Sequence, residues 1–425
     1  MKSLRDLFSP YRGLPREVYI IFLARIINAL GCFVMPLLTI ILTGTIGLAK
    51  DQAGFYISMA GLLYMPASMM GGKLADTIGR KKVILVFDLL AAALYITCGF
   101  MDPSINMVYV LMFAGASLVT AGPAHDSLMA DLTVPENRNA AYALSYMGWN
   151  IGFAVGPVIG GLLYQRYLSL VFIGDAVTAL LSLTLVMVFI GETIHRTEED
   201  ITDENRILEK REEGSIFSVL LKRPILIYFS LITLGYQFIY VQWSFLMPLH
   251  AMQNFESVGA SYYGMMAGFN GLIVMLFTPL MTKLTENIQN IRRMVYGGIL
   301  YAFGFGMLSM FNQLYHFFIS CFIFTIGEII LAISTIPFVV NHTPASHRGR
   351  MNAILPLIWG LGNTLGPLIM GKTLTVASIE FGWFVLGVLG IVSSLCMYGL
   401  ERYEHKERNR NTTLMVSKKE VGENV

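Results

Sequence analysis

Long apolar runs separated by short polar segments dominate the chain. A helix needs about 20 mostly apolar residues to cross the hydrocarbon layer of a membrane, and twelve such runs can be marked. Strands of a membrane barrel alternate polar and apolar residues over about ten positions, whereas these runs are longer and continuous. We therefore predict an all-α integral membrane protein with twelve spans, numbered 1 to 12 in chain order. They cover roughly residues 17–43, 54–71, 83–101, 106–129, 141–164, 169–190, 224–248, 261–281, 294–312, 315–339, 352–371 and 381–400.

Positive charge is unevenly distributed between the two predicted sides of the membrane. If the N-terminus is cytoplasmic, the inner loops and tails hold 26 of the 30 Lys and Arg residues, and the outer loops hold only Lys50, Arg166 and Lys372. Cytoplasmic loops retain positive charge. We expect a multi-pass protein of a bacterial plasma membrane with both termini in the cytoplasm.

The composition excludes several other classes of protein. A mean hydropathy of +0.61 over 425 residues is too high for a single water-soluble core. The four cysteines all fall within predicted spans and form no CxxC pair, so neither a disulfide framework nor a metal site is predicted. No pairing of nucleophile and base and no phosphate-binding glycine loop is found, so we expect neither an enzyme nor ATP as energy source. No cofactor and no nucleic-acid partner are expected.

An internal repeat keeps one constant offset of 210 residues. The segment GLLYMPASMMGGKLAD from Gly61 is similar to GLIVMLFTPLMTKLTE from Gly271, and RNAAYALSYMGWNIGFAVGPVIGG from Arg138 is similar to RGRMNAILPLIWGLGNTLGPLIMG from Arg348. Chance similarity would not keep one offset in two blocks. We predict two six-span halves, at 1–192 and 224–401, with a cytoplasmic linker at 193–223 and a polar cytoplasmic tail at 402–425.

Two motifs resemble those of a known family. The segment Gly72–Lys81, GKLADTIGRK, resembles the signature between spans 2 and 3 of the major facilitator superfamily, and Gly152–Gly161, GFAVGPVIGG, resembles its span 5 antiporter motif. Span number and half-repeat extend the resemblance over nearly the whole chain. It implies the fold of that superfamily, with two pseudo-symmetric halves around a central substrate site, and is nearest to the twelve-helix drug:proton antiporters.

The loop between spans 2 and 3 is the candidate gate. Paired glycines at 71 and 72 let the end of span 2 approach a neighbour closely, and Gly79 suits a turn that needs positive φ. The resemblance implies that Asp76 pairs with the start of span 11, and that Arg80 meets Asp131 at the end of span 4. The alternative is a loop with ordinary surface ion pairs that only fixes topology. The candidate gating residues are Gly72, Asp76, Gly79, Arg80, Lys81 and Asp131.

The span 5 motif combines small residues with a proline. Three glycines four residues apart share one helical face and permit close packing, while Pro157 removes a backbone hydrogen bond and favours a bend. Packing alone is one interpretation, and the resemblance implies a role in export by exchange with protons. The motif residues are Gly152, Gly156, Pro157, Gly160 and Gly161.

Charged residues within the spans are functional candidates, because each is costly in lipid. Glu328 lies about 20 Å into span 10, and we expect this carboxylate to alternate between a proton and a cationic substrate. Arg25 would balance Asp126, with His125 able to titrate near physiological pH; a fixed Arg25–Asp126 ion pair is the alternative. Asp175, near the outer edge of span 6, is expected to be a wet surface residue. The proton-coupling candidates are Glu328, Asp126, Arg25 and His125.

Span 7 supplies a cluster of aromatic residues on one face, beside Gln237. Aromatic faces attract cations and flat apolar molecules, although aromatic residues also form belts at the membrane interface. The substrate-binding candidates are Asn28, Tyr236, Gln237, Tyr240, Trp243, Asn270 and Glu328. One departure from the family is that Leu111 stands where drug antiporters often carry a buried arginine, four residues before a glycine of span 4.

The predicted function is secondary active transport. We expect a monomer that exports lipophilic or cationic small molecules across the bilayer in exchange for protons, with the proton gradient as energy source. Proton-coupled uptake, or export of one metabolite, on the same scaffold is the alternative, since fold alone does not decide between them. A receptor without transport activity would not need Glu328 near the membrane midplane.

Overall fold

The computed structural model describes residues 12–193, 224–343 and 348–422. The predicted linker at 193–223 therefore lies outside the described residues except for Thr193. Within the described ranges the regular secondary structure is helical and contains no strand, as the long apolar runs predict.

Helices cover all six spans of the first half. Spans 1 and 5 are each divided into two helices. The helices are Arg16–Leu30 and Val34–Ile40 in span 1, Lys50–Ile78 in span 2, Arg80–Phe100 in span 3, Ile105–Asp131 in span 4, Pro135–Phe153 and Gly156–Tyr164 in span 5, and Leu168–Phe189 in span 6.

The second half also has a helix at each predicted span. They are Pro224–Tyr240 and Gln242–Phe255 in span 7, Gly259–Leu284 in span 8, Asn290–Gly306 in span 9, Leu314–His342 in span 10, Arg348–Thr373 in span 11, and Ile379–Gly422 in span 12. The helix of span 12 continues beyond the predicted apolar run and through most of the polar tail.

Eight helical stretches in the described part of the chain are long and apolar enough to cross a membrane. One of them, Pro224–Leu284, contains both span 7 and span 8, so the eight include nine of the predicted spans. The helix of span 9 is shorter, with 17 residues, and spans 2 and 11 contain several glycines and polar residues that lower their hydropathy.

The interruptions of spans 1 and 5 each lie just before a proline. Span 1 breaks at residues 31–33, ahead of Pro36, which has no N–H to bond to the carbonyl of Cys32, and ends in the π-helical turn Ile41–Thr45. The apolar run predicted over 17–43 nevertheless lies within one stretch, Arg16–Thr45, that is long and apolar enough to cross a membrane. Span 5 breaks at Ala154 and Val155, just before Pro157, which has no N–H to bond to the carbonyl of Phe153. The bend that the proline favours therefore lies immediately before it.

The chain forms two compact units that differ from the sequence halves. Unit 1 comprises the described residues of Met1–Asn205 with Gln242–Leu276 and Thr364–Ile379; unit 2 comprises those of Arg206–Val241, Phe277–Asn363 and Glu380–Val425. Their boundaries cut through spans 7, 8 and 11. The boundaries of the halves and the linker stay a prediction from the repeat.

A buried apolar cluster in unit 1 positions the loop between spans 2 and 3. It contains Val18 and Ile21 of span 1, Val83 of span 3, Leu128 of span 4 and Val186 of span 6. Because apolar side chains from four spans meet here, the ends of spans 3, 4 and 6 are held side by side. The charged residues at these ends can therefore reach one another.

Candidate functional site

Arg80 is the centre of the loop between spans 2 and 3. Its Nε lies 3.0 Å from Oδ2 of Asp131, and both side chains are only 11% exposed. Its Nη1 also donates to the carbonyl of Ala75 at 2.9 Å. The ion pair between spans 3 and 4 that the family resemblance implies is therefore present, and it is shielded from solvent.

Asp76 differs from Asp131 in exposure. Its side chain is 70% exposed, and it lies 3.4 Å from Nη2 of Arg80, four residues further along the chain. An exposed pair of this kind contributes little to stability. The pairing of Asp76 with the start of span 11 stays a prediction.

Glu192 and Thr193, at the end of span 6, join the same cluster. The carboxylate of Glu192 accepts the backbone N–H of Arg80 at 3.0 Å and of Lys81 at 3.1 Å. Thr193 donates its hydroxyl to Asp131 at 2.7 Å. The bonds of Glu192 satisfy N–H groups of the first turn of span 3, where a negative charge is favourable.

Lys81 fastens the loop to span 6 from the opposite direction. Its Nζ donates to the carbonyls of Met187 and Ile190, each at 2.7 Å, at the C-terminal end of that helix. The sequence analysis missed Glu192 and Thr193. A carboxylate directly after an apolar run, on the side of the basic loop, was the available signal.

Gly79 supplies the turn and Gly71 the close packing. Gly79 has φ +109°, a backbone conformation that side-chain-bearing residues rarely adopt. A Cβ at Gly71 would lie 1.9 Å from the carbonyl oxygen of Thr120 in span 4, whereas one at Gly72 would find its nearest neighbour, Pro123, at 3.8 Å. Close packing on span 4 therefore depends on Gly71 and not on Gly72, although both were predicted to allow it.

Gly71→Ala is expected to lower the thermal-unfolding midpoint of the purified protein, because overpacking a tight contact costs about 1 to 3 kcal/mol. Gly72→Ala is the matched control and is expected to leave the midpoint nearly unchanged. The measurement is a thermal melt in detergent of both variants. Equal losses of stability in the two variants would contradict the contact with Thr120.

The span 5 motif packs against spans 1 and 8. Cβ atoms at Gly152 and Gly156 would each lie 2.5 Å from a backbone carbonyl of span 1, and one at Gly161 would lie 2.6 Å from the carbonyl of Ala260 in span 8. Gly160 faces Phe33 of span 1, and the carbonyl of Pro157 faces Gly264 of span 8. The motif thus permits close helix packing on two sides. A role in proton exchange stays a prediction.

Four of the predicted residues line one small cavity in unit 1. Arg25, Asn28, His125 and Asp126 surround a volume of about 50 Å³. Its wall also contains polar side chains that the sequence analysis did not single out, namely Tyr142, Ser145 and Ser182. The structure therefore brings the first-half candidates together. The volume has room for water or a small ion.

The ion pair beside this cavity is not the predicted one. His125 Nε2 lies 2.9 Å from Oδ2 of Asp88 in span 3, with the side chains 26% and 13% exposed. Within the described residues Arg25 and Asp126 form no ion pair, and Asp126 is exposed. The expectation that Arg25 balances Asp126 is therefore corrected: the contact between side chains that the structure shows here joins His125 and Asp88.

Asp175 is also placed differently from the prediction. It is partly buried, and its Oδ2 accepts the backbone N–H groups of Phe33 at 3.2 Å and of Val34 at 3.0 Å. It is therefore not a wet surface residue but a hydrogen-bonding partner of the broken span 1.

Glu328 lies in unit 2 among aromatic and amide side chains. Tyr240 donates its hydroxyl to Oε1 of Glu328 at 2.8 Å, and its ring stacks on Tyr301 with ring centroids 5.9 Å apart. Beside them, the amide of Asn363 donates to Oε1 of Gln237 at 3.0 Å. Both Glu328 and Tyr240 remain partly exposed. Two predicted residues from spans 7 and 10 are therefore in direct contact.

Three further substrate-binding candidates, from spans 7 and 8, are buried. Tyr236 is 2% exposed and donates to the carbonyl of Met294, so it belongs to the core between spans 7 and 9. Trp243 and Asn270 are buried in unit 1, with the Trp243 ring 5.3 Å from that of Tyr263. Tyr240, a member of the aromatic face predicted on span 7, is in direct contact with Glu328.

Comparisons with known proteins all indicate the same family of transporters. The family model described as Major Facilitator Superfamily matches residues 21–352 and 257–421. The "Na(+), Li(+), K(+)/H(+) antiporter" of Planococcus maritimus is 24% identical over 396 residues, which are 85% of this chain and 89% of that protein. "Multidrug resistance protein MdtH" of Yersinia enterocolitica is 23% identical, covering 89% of this chain and 93% of that protein.

A solved structure supports the same fold. The crystal structure of the peptide transporter POT in complex with sulfate superimposes with a TM-score of 0.75 at 16% identity, over 92% of this chain and 96% of that chain. The predicted all-α fold of twelve membrane helices in two six-helix halves is confirmed, and the family consists of transporters rather than enzymes. The chain belongs to the major facilitator superfamily.

Proposed function

We propose that the protein exports lipophilic or cationic compounds in exchange for protons, by alternating access, with Glu328 as the carboxylate that binds either a proton or the cation. The observation that carries this proposal is the contact of Glu328 with Tyr240 beside the stacked ring of Tyr301. A cation here would meet one negative charge and two aromatic rings.

The energetics favour exchange at Glu328. A bare charge within a membrane helix is costly, so the carboxylate is expected to hold a proton, a cation or strong hydrogen-bond donors at all times. Tyr240 supplies one such donor at 2.8 Å. Cation–π attraction to Tyr240 and Tyr301 would add affinity for organic cations of varied shape. Binding of the cation would then release the proton.

A second candidate function is exchange of an inorganic monovalent cation for protons. It is favoured by the 24% identical relative whose name describes that activity, while the relative named for multidrug resistance favours export of organic compounds. Both functions would use Glu328. The likeness to a peptide transporter concerns the fold alone and does not favour uptake.

The gate and the first-half cavity complete the proposal. We place the loop between spans 2 and 3 and both chain ends in the cytoplasm, where Arg80 and Asp131 would close a latch in one of the two transport states. A shift of about 1 kcal/mol changes two-state populations severalfold. The hydrogen-bonded pair of His125 and Asp88 lies beside this cavity, in a chain that has Leu111 where drug antiporters of the family often carry an arginine.

The test is cation-driven proton release in proteoliposomes, followed with an enclosed pH-sensitive dye. The panel contains organic cations, neutral amphiphiles, Na⁺ and K⁺. Organic cations are expected to release protons from the wild-type protein and not from Glu328→Gln. Tyr240→Phe is expected to lower the response about tenfold, because it removes a hydrogen bond to a charged group.

Glu286→Gln, at an exposed position outside the spans, is the matched control and is expected to behave as wild type. Responses to Na⁺ or K⁺ alone would support the second candidate function. A wild-type response that survives in Glu328→Gln would remove Glu328 from the mechanism. Silence across the panel would contradict both candidates and favour transport of a single metabolite.

A further inference from the structure

Asp175 of span 6 closes the break in span 1. Its Oδ2 accepts the N–H groups of Phe33 and Val34 at 3.2 and 3.0 Å. These residues begin the second helical segment of span 1, whose first N–H groups have no partner within their own helix. The N–H of Phe33 also donates to the carbonyl of Gly31 at 2.7 Å, whereas the side chain of Asp175 is the acceptor described for Val34.

Spans 1 and 6 are pressed together at this point. A Cβ added at Gly31, the first residue of the break, would overlap the hydroxyl of Thr178, one turn after Asp175. Thr178 in turn donates to the carbonyls of Gly174 and Asp175 at 3.1 and 2.9 Å. The close approach of Gly31 and Thr178 thus holds the break next to the turn of span 6 that carries Asp175.

Among the described residues no Lys, Arg or His forms an ion pair with Asp175. The titratable neighbours are the thiol of Cys32 in span 1 and the phenol of Tyr95 in span 3. The N–H groups of Phe33 and Val34 are therefore the hydrogen-bond donors described for its carboxyl group.

The break determines where the first segment of span 1 points. That segment, Arg16–Leu30, carries Arg25 and Asn28, which line the cavity in unit 1 about one to two turns before the break. We propose that Asp175 is a positioning residue for transport: its carboxylate fixes the break in span 1 and thereby places Arg25 and Asn28 at the cavity. This inference rests on the proposed function, because only that proposal gives span 1 a role in transport.

The first arm of the test measures hydrogen exchange by mass spectrometry on the full-length protein in detergent, without substrate. Peptides that cover residues 28–36 are compared in wild type, Asp175→Asn and Asp175→Ala. Exchange at Val34 is expected to become several-fold faster in the Asn variant and about tenfold faster or more in the Ala variant, with a smaller change at Phe33, which keeps its bond to the carbonyl of Gly31. Asp102→Asn, an exposed aspartate between spans 3 and 4, is the control.

The second arm measures proton release in proteoliposomes as a function of cation concentration. Asp175→Asn is expected to raise KM about tenfold, with a smaller effect on kcat, because Asn28 and Arg25 are displaced while Glu328 is intact. Faster exchange together with a raised KM supports the proposal. Unchanged exchange in both variants, or a lower kcat with unchanged KM, overturns it.

Because the first arm needs no substrate, it separates this inference from the proposed function. Wild-type protein that moves no cation, with faster exchange in the variants, would overturn the proposed function and retain the role of Asp175 in closing the break. Normal transport by wild type, with unchanged exchange in the variants, would support the proposed function and overturn the role of Asp175.

Discussion

Arg80→Ala is expected to lower the stability of the protein by about 3 to 5 kcal/mol, which is the usual cost of leaving one partner of a buried ion pair alone. The substitution removes the contact of 3.0 Å with Asp131 and the hydrogen bond to the carbonyl of Ala75. Asp131, 11% exposed, would keep only the hydroxyl of Thr193 among the partners described for it. The measurement is the thermal-unfolding midpoint in detergent.

Asp76→Ala is the matched control for this prediction. Asp76 pairs with the same arginine but is 70% exposed, so its loss should cost about 0 to 1 kcal/mol. Arg80→Ala with Asp131→Ala should be less destabilising than the two single changes added together, because the uncompensated charge disappears. A strongly destabilised Asp76→Ala beside a mild Arg80→Ala would show that the exposed pair carries the stability.

Gly54→Val is expected to have the second large effect, because it obstructs the contact between spans 2 and 11 in unit 1. A Cβ at Gly54 would lie 2.1 Å from the carbonyl oxygen of Pro367. Nearby, the hydroxyl of Ser58 accepts the N–H of Leu368 at 3.0 Å, and Gly371 faces the carbonyl of Lys50. A branched side chain at Gly54 would force these backbones apart.

The cost of that overpacking is about 2 kcal/mol, which corresponds to roughly a 30-fold change in the population of this arrangement. Alternating access requires such contacts to form and separate in every cycle. We therefore expect proton release by an active cation to slow at least about tenfold. Gly122→Val, where a Cβ would meet no atom within 4 Å, is the control. Equal rates in the two variants would contradict the role of this contact.

The twelve spans were predictable because each is a long apolar run, and one turn of the chain was predictable because Gly79 and the basic residues after it stand out. The interruption of span 1 was predictable only in part. Pro36 lies just after the break and cannot donate to the carbonyl of Cys32, but the N–H of Val34 bonds to Asp175, a residue about 140 positions away. Local hydropathy contains no information about such a partner.

The candidate site was predicted in part for the same reason. Glu328 and Tyr240 stood out separately, one as a charge in lipid and one as a member of an aromatic face, but their contact depends on how spans 7 and 10 pack. His125 was predicted as a candidate from the sequence, but its partner was not. It contacts Asp88 because of the way in which spans 3 and 4 are rotated about their axes. Rotation of one helix against another cannot be read from a single sequence.

Unit 1 is built from segments that are far apart in the sequence, and this has a consequence for biosynthesis. Its last segment ends at Ile379, 186 residues after Thr193, and at about 5 to 20 residues per second the ribosome needs roughly 10 to 40 s to make them. Until those residues are made, Gly161 lacks its contact with Ala260, and Gly54 lacks its contact with Pro367. The newly inserted first half must therefore survive in the bilayer on its own contacts, among them the ion pair of Arg80 and Asp131.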